Sequence, residues 1–412
     1  MGELRVELYG HLVGWLVGTD WRTFDFRTDR SAFDHFELGS TILSESVPLN
    51  VTVNRSRAAR RRNFFSELLP EGRILTNLAA SVGAREHDVV TLLAYYGRDV
   101  AGAMQIWDPD RPGEPRRPHA TALTDEGVRA LLLDTLAEPL GNSPLTGKTS
   151  LAGVQDKIVL ARIDERWHRV HDGYPSTHIV KPESRDHPTV IFDEEYGARA
   201  ARRLGLCQTE TWLADFDGLP ALVIERYDRA PDAPLGRLHQ EDMNQVLGAH
   251  ANEKYQELGG KVSLRRIAEV FRKNGDDESL ERLLAMSVLA VALGNVDMHA
   301  KNLSLLHGPT GSSKLAPAYD MVPLRHQRND GRMALSINGV YQHGSITAAD
   351  LAAEGSGWRM RSPDLVVNRT LESIEAFAAA EEPDPRAYAR LRLDVLSFTR
   401  RLLQGKPAGG PG

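Results

Sequence analysis

The chain has 412 residues, 41% hydrophobic and 26% charged, which suits two or three globular domains and excludes collagen-like or wholly disordered architectures. A net charge of −6 gives no global electrostatic sign of a nucleic-acid binder. The single cysteine, Cys207, rules out an intrachain disulfide and any zinc site built on several thiolates, and it fits a reducing cytoplasm.

In chain order, Met1–Gly10 (MGELRVELYG) alternates like a strand and lacks the apolar core of a secretory leader. Residues 4–18 alternate around a glycine-containing turn, and residues 33–53 hold further strand-like stretches. Arg55–Arg62 carries five arginines in eight residues. It reads either as a solvated helix face or protein contact, or as a phosphate-binding patch. Phe64–Leu69 predicts a short helix stopped by Pro70-Glu71-Gly72. Asp108–Pro118, with four prolines and one glycine, predicts a surface loop or boundary.

From Lys148 the pattern changes. A turn over Ser150–Lys157 leads into a strand at Ile158–Ala161, and a second strand follows at His178–Lys181. Residues 193–204 predict a helix with an acidic first turn and a basic last turn, closed by Gly205. Ala221–Ile224 reads as a buried strand running into the charged Glu225–Arg229. Beyond residue 240 the pattern is mostly helical. Its most apolar run, Leu283–Gly294, is twelve residues and too short for a bilayer, so a core helix is expected and no membrane association. Helices near 364–380 and 386–403 precede a tail from Gly405 that is expected to be disordered. Strands first and helices later predict an α+β fold.

The chemistry concentrates in Gly294–Asn302 (GNVDMHAKN), a polar loop after the most apolar helix. Asp297 and Asn302 have the D-x-x-x-x-N spacing of a kinase catalytic loop, where the Asp takes the acceptor proton and the Asn binds Mg²⁺. Read alone, the spacing is also ordinary turn chemistry. Asp320, eighteen residues beyond Asn302 after an apparent hairpin, sits where kinases place a second metal-binding Asp, or it caps a turn. Lys181 leaves a buried strand and can reach phosphates, or it snorkels to solvent. Ser150–Lys157 holds one glycine, Gly153, so it is not a G-x-G-x-x-G loop, and it reads as a phosphate cradle or a plain hairpin. The chain has no G-x-x-x-x-G-K-[ST]. All four features occur in kinase order.

The blocks Thr149–Lys157 (TSLAGVQDK), Thr177–Lys181, Val223–Arg229 (VIERYDR), Gln240–Met243, Asn295–Asn302 and Tyr319-Asp320 resemble the HipA-family serine/threonine protein kinases, the toxins of HipBA-type toxin–antitoxin modules. Phe64–Gly72 (FFSELLPEG) and Gly97–Gln105 resemble that family's N-terminal subdomain. The resemblance implies a bilobal protein-kinase-like α+β fold with a β-rich N-terminal lobe, an extra N-terminal subdomain and a helical C-terminal lobe. The implied division is residues 1–140, 141–230 and 231–404, with a tail at 405–412.

The resemblance implies Asp297 as catalytic base, with His299 and Lys301 beside it, and Asn302 and Asp320 as Mg²⁺ ligands. ATP would meet Ala152, Gly153, Val154, Gln155, Asp156 and Lys157 over its phosphates, together with Lys181, and Glu225, Tyr227 and Tyr319 around the rest. Ser150 would be autophosphorylated as an off-switch, with Thr149 a second hydroxyl beside it. Glu195 or its neighbour Glu194 would pair with Lys181, or both would sit at a solvated helix end. Met298 departs from the smaller or polar residue often found after the base. The implied partners are a protein substrate, such as an aminoacyl-tRNA synthetase, and a HipB-like DNA-binding antitoxin, with DNA met only through the latter. A small-molecule phosphotransferase and a catalytically silent co-repressor are the alternatives. Every version with chemistry requires Lys181 and Asp320 to share one cleft.

Overall fold

The computed structural model describes residues 2–409 except positions 19, 136, 144, 145, 154, 309 and 310. Alternating burial in LRVEL makes β1 (Leu4–Leu8) a one-sided strand. With β2 (His11–Val17), β3 (Asp25–Thr28) and β4 (Met104–Trp107) it forms an antiparallel sheet in the order β3-β2-β1-β4. Between β3 and β4 the chain forms α1 (Ala58–Ser66), α2 (Gly72–Ser81) and α3 (Val89–Tyr96), whose Phe64, Phe65, Leu78, Leu92 and Leu93 share a core with the sheet. The helix expected at 64–69 therefore starts earlier, inside the arginine run, and Pro70-Glu71-Gly72 opens the next helix as much as it closes this one. Arg61 of that run is buried and pairs with Asp25 at 2.6 Å, so one of the five arginines is structural.

A second antiparallel sheet is built from β5 (His119–Ala122), β6 (Ile158–Ile163), β7 (Arg166–His171), β8 (His178–Pro182), β9 (Thr211–Phe216) and β10 (Leu219–Glu225), in the order β5-β7-β6-β8-β10-β9. Helix α4 (Asp125–Leu133) lays Val128, Leu131 and Leu132 on this sheet, against Ile158, Val180 and Val223. Strand β5 and helix α4 precede residue 140, where the sequence places a boundary, yet they pack with the second sheet. The proline-rich stretch before β5 forms no regular element. Helix α5 (Val190–Arg203) covers the predicted helix and begins three residues earlier.

The remainder is mostly helical: α6 (Met243–Leu247), α7 (Gln256–Gly259), α8 (Leu264–Lys273), α9 (Asp277–Leu293), α10 (Ala348–Gly357), α11 (Pro363–Ala380) and α12 (Leu391–Leu403). Two small sheets interrupt it, β11 (His239–Asp242) with β12 (Ser304–His307) and β13 (Ser313–Leu315), and β14 (Arg332–Ile337) with β15 (Val340–Gln342). Helix α9 is apolar nearly all round because it is the central helix of a core shared with α5, α11 and α12. Among the described residues no helix is long and apolar enough to cross a membrane. The expectation of a disordered tail fails over the described residues 405–409. Ala408 is fully buried, and the N–H groups of Ala408 and Gly409 donate to the carbonyls of Ile346 and Gly344. Small residues let this backbone lie close against its neighbour, an arrangement that composition alone does not separate from disorder.

Candidate active site

Helix α9 ends at Gly294 in the left-handed conformation (φ 70°), where a side chain would strike Arg325. The loop that follows is stitched by its own side chains. Asn295, 1% exposed, accepts from the Asp297 N–H at 3.1 Å and donates to the Asp320 carbonyl at 3.3 Å. Asn302 donates its amide N–H to the Asp297 carbonyl at 3.0 Å, and no described residue donates to its side-chain oxygen. Two loops 25 residues apart are thereby fixed to each other through Asn295.

Asp297 is half-buried and accepts from the Tyr255 hydroxyl at 3.3 Å. Burial, reinforced by the charge of Asp320, lifts its carboxyl to about 6. His299 is buried, packs edge-on against Tyr255, and has no partner for Nδ1 among the described residues. Burial, with Lys254 nearby, lowers it to about 4, so its ring is neutral at physiological pH. Lys301 turns to the N-terminal subdomain, 2.8 Å from both Glu67 and Glu71. Burial opposes its charge, but Glu67, Asp242 and Glu71 hold it above the usual lysine range. Glu71 also pairs with Lys254 at 2.8 Å.

Lys181 on β8, paired in register with Leu222 on β10, extends its ammonium to Glu194 of α5 at 2.7 Å and to Asp320 at 3.2 Å. Burial disfavours the charge, yet these two carboxylates raise the lysine. Burial in turn raises Glu194, with Asp320 adding to the effect against Lys181. Asp320 adopts φ 56°, uncommon for a residue with a side chain. The reading of Glu194 and Glu195 as a solvated helix end is corrected: both are buried, Glu194 pairs with Lys181, and Glu195 pairs with Arg199 at 2.7 Å. Consecutive helical residues point about 100° apart, so only one of the two faces the lysine. Helix α5 comes this near because Gly197 has no side chain; a Cβ there would collide with the Met321 carbonyl.

The turn over 150–157 is held from outside. Ser150 is fully buried and donates to the Leu68 carbonyl at 2.8 Å. The Gly153 carbonyl accepts from the Glu71 N–H at 3.2 Å, and Asp156 pairs with Arg73. Gly153 has φ 114°, and a Cβ there would meet the Lys157 ammonium, which donates to the Ala152 carbonyl. Burial, then the charge of Lys181, lowers Lys157 to about 8. Val154 lies outside the described residues.

One cleft of about 320 Å³ is lined by Ala152, Gly153, Gln155, Lys157, Lys181, Glu225, Tyr227, Asp297, His299, Lys301, Asn302, Tyr319 and Asp320, so most of the candidate residues converge. Asp156 and Ser150 do not line it; the first turns to Arg73, the second into the core. Tyr227 and Tyr319 stack with ring centres 5.5 Å apart. The chain around Tyr227 is fixed by a buried network in which Asp228 pairs with Arg226 and accepts from the Gly102 N–H, and Asp99 pairs with Arg229 and Arg237. Sequence reasoning assigned no role to Glu67, Glu71, Lys254, Tyr255 or Asn295. The only signal for the first two was the quoted FFSELLPEG block.

Among the described residues no three His, Cys, Asp or Glu side chains cluster as a metal cage. Asn302 and Asp320 instead offer the sparse oxygen set that suits Mg²⁺ held chiefly by phosphates and water.

Residues 4–107 match the HipA N-terminal domain and residues 149–380 the HipA-like C-terminal domain. The chain is 31% identical to the Sinorhizobium fredii protein Y4mE over 322 residues, 76% of this chain and 74% of that one. It is 27% identical to the serine/threonine-protein kinase toxin HipA of Shewanella oneidensis over 380 residues, 87% of this chain and 85% of that one. Among solved structures, Shewanella oneidensis HipA in its complex with HipB and operator DNA superposes with a TM-score of 0.78 at 24% identity, covering 97% of both chains. That likeness establishes a shared mixed α+β fold.

Proposed function

Because the chain belongs to the HipA family, we propose that it is a serine/threonine protein kinase toxin that transfers the γ-phosphoryl group of Mg·ATP to a protein hydroxyl. The observation that carries this reading is the Lys181 ammonium held between Glu194 and Asp320, in the cleft that also contains Asp297 and Asn302. A buried cation facing a cavity beside acidic and amide side chains from two other loops is the arrangement that a charged ligand requires.

Mg·ATP supplies the transferable phosphoryl group and a cation that offsets its charge; Asn302 and Asp320 would hold the metal. Lys181 neutralises phosphate oxygens, kept in place by Glu194. Asp297 orients the acceptor hydroxyl and takes its proton as the oxygen bonds to phosphorus and the bond to the leaving ADP oxygen breaks. His299 and Lys301 line the same floor, Lys301 as an internal cation that fixes the loop to Glu67 and Glu71. Ala152, Gly153, Gln155 and Lys157 cover the phosphates, and Glu225, Tyr227 and Tyr319 enclose the remainder of the nucleotide. Positioning and fixed charge account for most of the rate enhancement.

Asp297→Ala is expected to lower phosphorylation on the order of 10²–10⁴-fold, measured with labelled ATP, Mg²⁺ and cell lysate and mapped by mass spectrometry. Undiminished labelling would remove Asp297 from the mechanism. Autophosphorylation at Ser150 is the off-switch in this reading. The buried site of Ser150 has no space for a dianion, so the turn must leave its seat, and ATP affinity should fall in homogeneously phosphorylated protein. Normal ATP binding by that species would contradict it. The family relationship further supports a translation-related substrate such as an aminoacyl-tRNA synthetase, a HipB-like antitoxin as partner, contact with DNA only through it, and a cytoplasmic location.

A further inference from the structure

A second groove, of about 530 Å³, lies against the same catalytic floor. Glu67, Glu71 and Lys301 line both the groove and the nucleotide cleft, so the two spaces share that ionic wall. Its far side is formed by the Trp21-Arg22 loop and by Arg62 of α1, over an apolar surface that includes Leu69 and Leu75.

The charges around this groove are unevenly satisfied. Glu67 is engaged by Lys301 and by His250 at 3.2 Å, Glu71 by Lys301 and Lys254, and Glu86 accepts from the Thr76 hydroxyl at 2.7 Å. Arg22 and Arg62 have no anionic partner among the described residues. The guanidinium of Arg22 lies 4.8 Å from the Trp21 ring centre, and Arg62 reaches only the Phe24 carbonyl at 3.4 Å. Trp21 is itself exposed and packs on His87. With Glu67 and Glu71 neutralised by cations and, among the described residues, Glu86 held only by a hydroxyl, a groove that offers two unpaired arginines beside aliphatic side chains is an unsuitable track for a continuous nucleic-acid backbone. It suits an extended polypeptide with a few negative side chains.

We infer that this groove receives the polypeptide carrying the acceptor hydroxyl and selects acidic side chains beside it through Arg22 and Arg62. The inference rests on the protein-kinase reading and deepens it by giving the N-terminal subdomain the task of substrate selection. It also assigns a use to part of the arginine run, of which Arg61 serves the fold.

The test uses the full chain with Mg·ATP and a set of serine peptides differing only in having Asp, Ala or Lys at each flanking position. Acidic peptides should be phosphorylated about fivefold better than neutral ones for each arginine engaged. Arg22→Glu/Arg62→Glu should invert the preference toward lysine, a result that a merely misfolded variant cannot produce. The milder Arg22→Gln/Arg62→Gln should level it. Phosphorylation with no acidic preference, or with a preference unmoved in both variants, overturns the groove and leaves the kinase reading standing. Absence of any phosphoryl transfer by the unmodified chain removes both. Inhibition by a single-stranded RNA 20-mer that the arginine variants relieve would assign the groove to nucleic acid and overturn the inference.

Discussion

The two loops that face each other across the cleft are built on different terms. Residues 294–302 continue from α9, the central helix of the C-terminal core, and are tied internally, by Asn295 to Asp297 and Asp320 and by Asn302 to Asp297. Residues 150–157 have few bonds of their own and are seated by the N-terminal subdomain, through Leu68, Glu71 and Arg73. One is a floor that the core fixes; the other is a cover that a neighbouring domain holds shut. A reaction that depends on positioned charge needs the first, and a switch needs the second, because contacts made from outside can be released without unfolding the core.

That contrast can be broken most decisively at Lys181. Lys181→Met leaves Glu194 buried without its cation, and unfolding in urea should show a loss of about 3–5 kcal/mol. Adding Glu194→Gln should restore much of it. An unchanged midpoint in the single variant would mean the pair is not part of the fixed floor. Asn295→Ala comes next: it leaves the Asp297 N–H and the Asp320 carbonyl without partners and should cost about 1–3 kcal/mol in the same measurement. Hydrogen exchange should accelerate over residues 294–302 and 318–321 while that of 150–157 stays as it was. Equal acceleration in both loops would erase the distinction.

The smallest effect concerns the cover alone. Lys157 sits near 8 in the folded chain against an ordinary lysine value of about 10.5, so the fold favours its neutral form. The associated stability is fully present above pH 10.5 and is lost as pH falls from there to about 8. Between pH 7.5 and 9.5 the unmodified chain should therefore gain melting temperature relative to Lys157→Met. A constant difference between the two proteins would show that the ammonium is not held in the described seat.

Much of the floor was legible in the sequence because polar residues that interrupt strongly apolar elements are conspicuous. Lys181 ends a buried strand, Asp297 and Asn302 follow the long apolar stretch of α9, and Asp320 follows a hairpin. The α+β class was legible from the mix of strand and helix patterns, but the order was not, since α1 to α5 lie among the strands rather than after them. The partner of Lys181 was not, since Glu194 and Glu195 have the same composition and differ only in their angle around α5. Glu67 and Glu71 were invisible as site residues because their contacts with Lys301 span about 230 positions of chain. The docked tail was missed because glycine and proline in close backbone packing look the same as glycine and proline in solvent.

The absent side chain at Gly197 sets the depth to which α5 sinks toward the chain segment after Asp320. Glu194 lies less than one turn away on the same helix, so its carboxylate reaches Lys181 by virtue of the spacing between two pieces of backbone. The ion pair at the heart of the cleft is thus gauged by a hydrogen atom, because any larger side chain at position 197 would push the helix, and the carboxylate it delivers, away from the lysine.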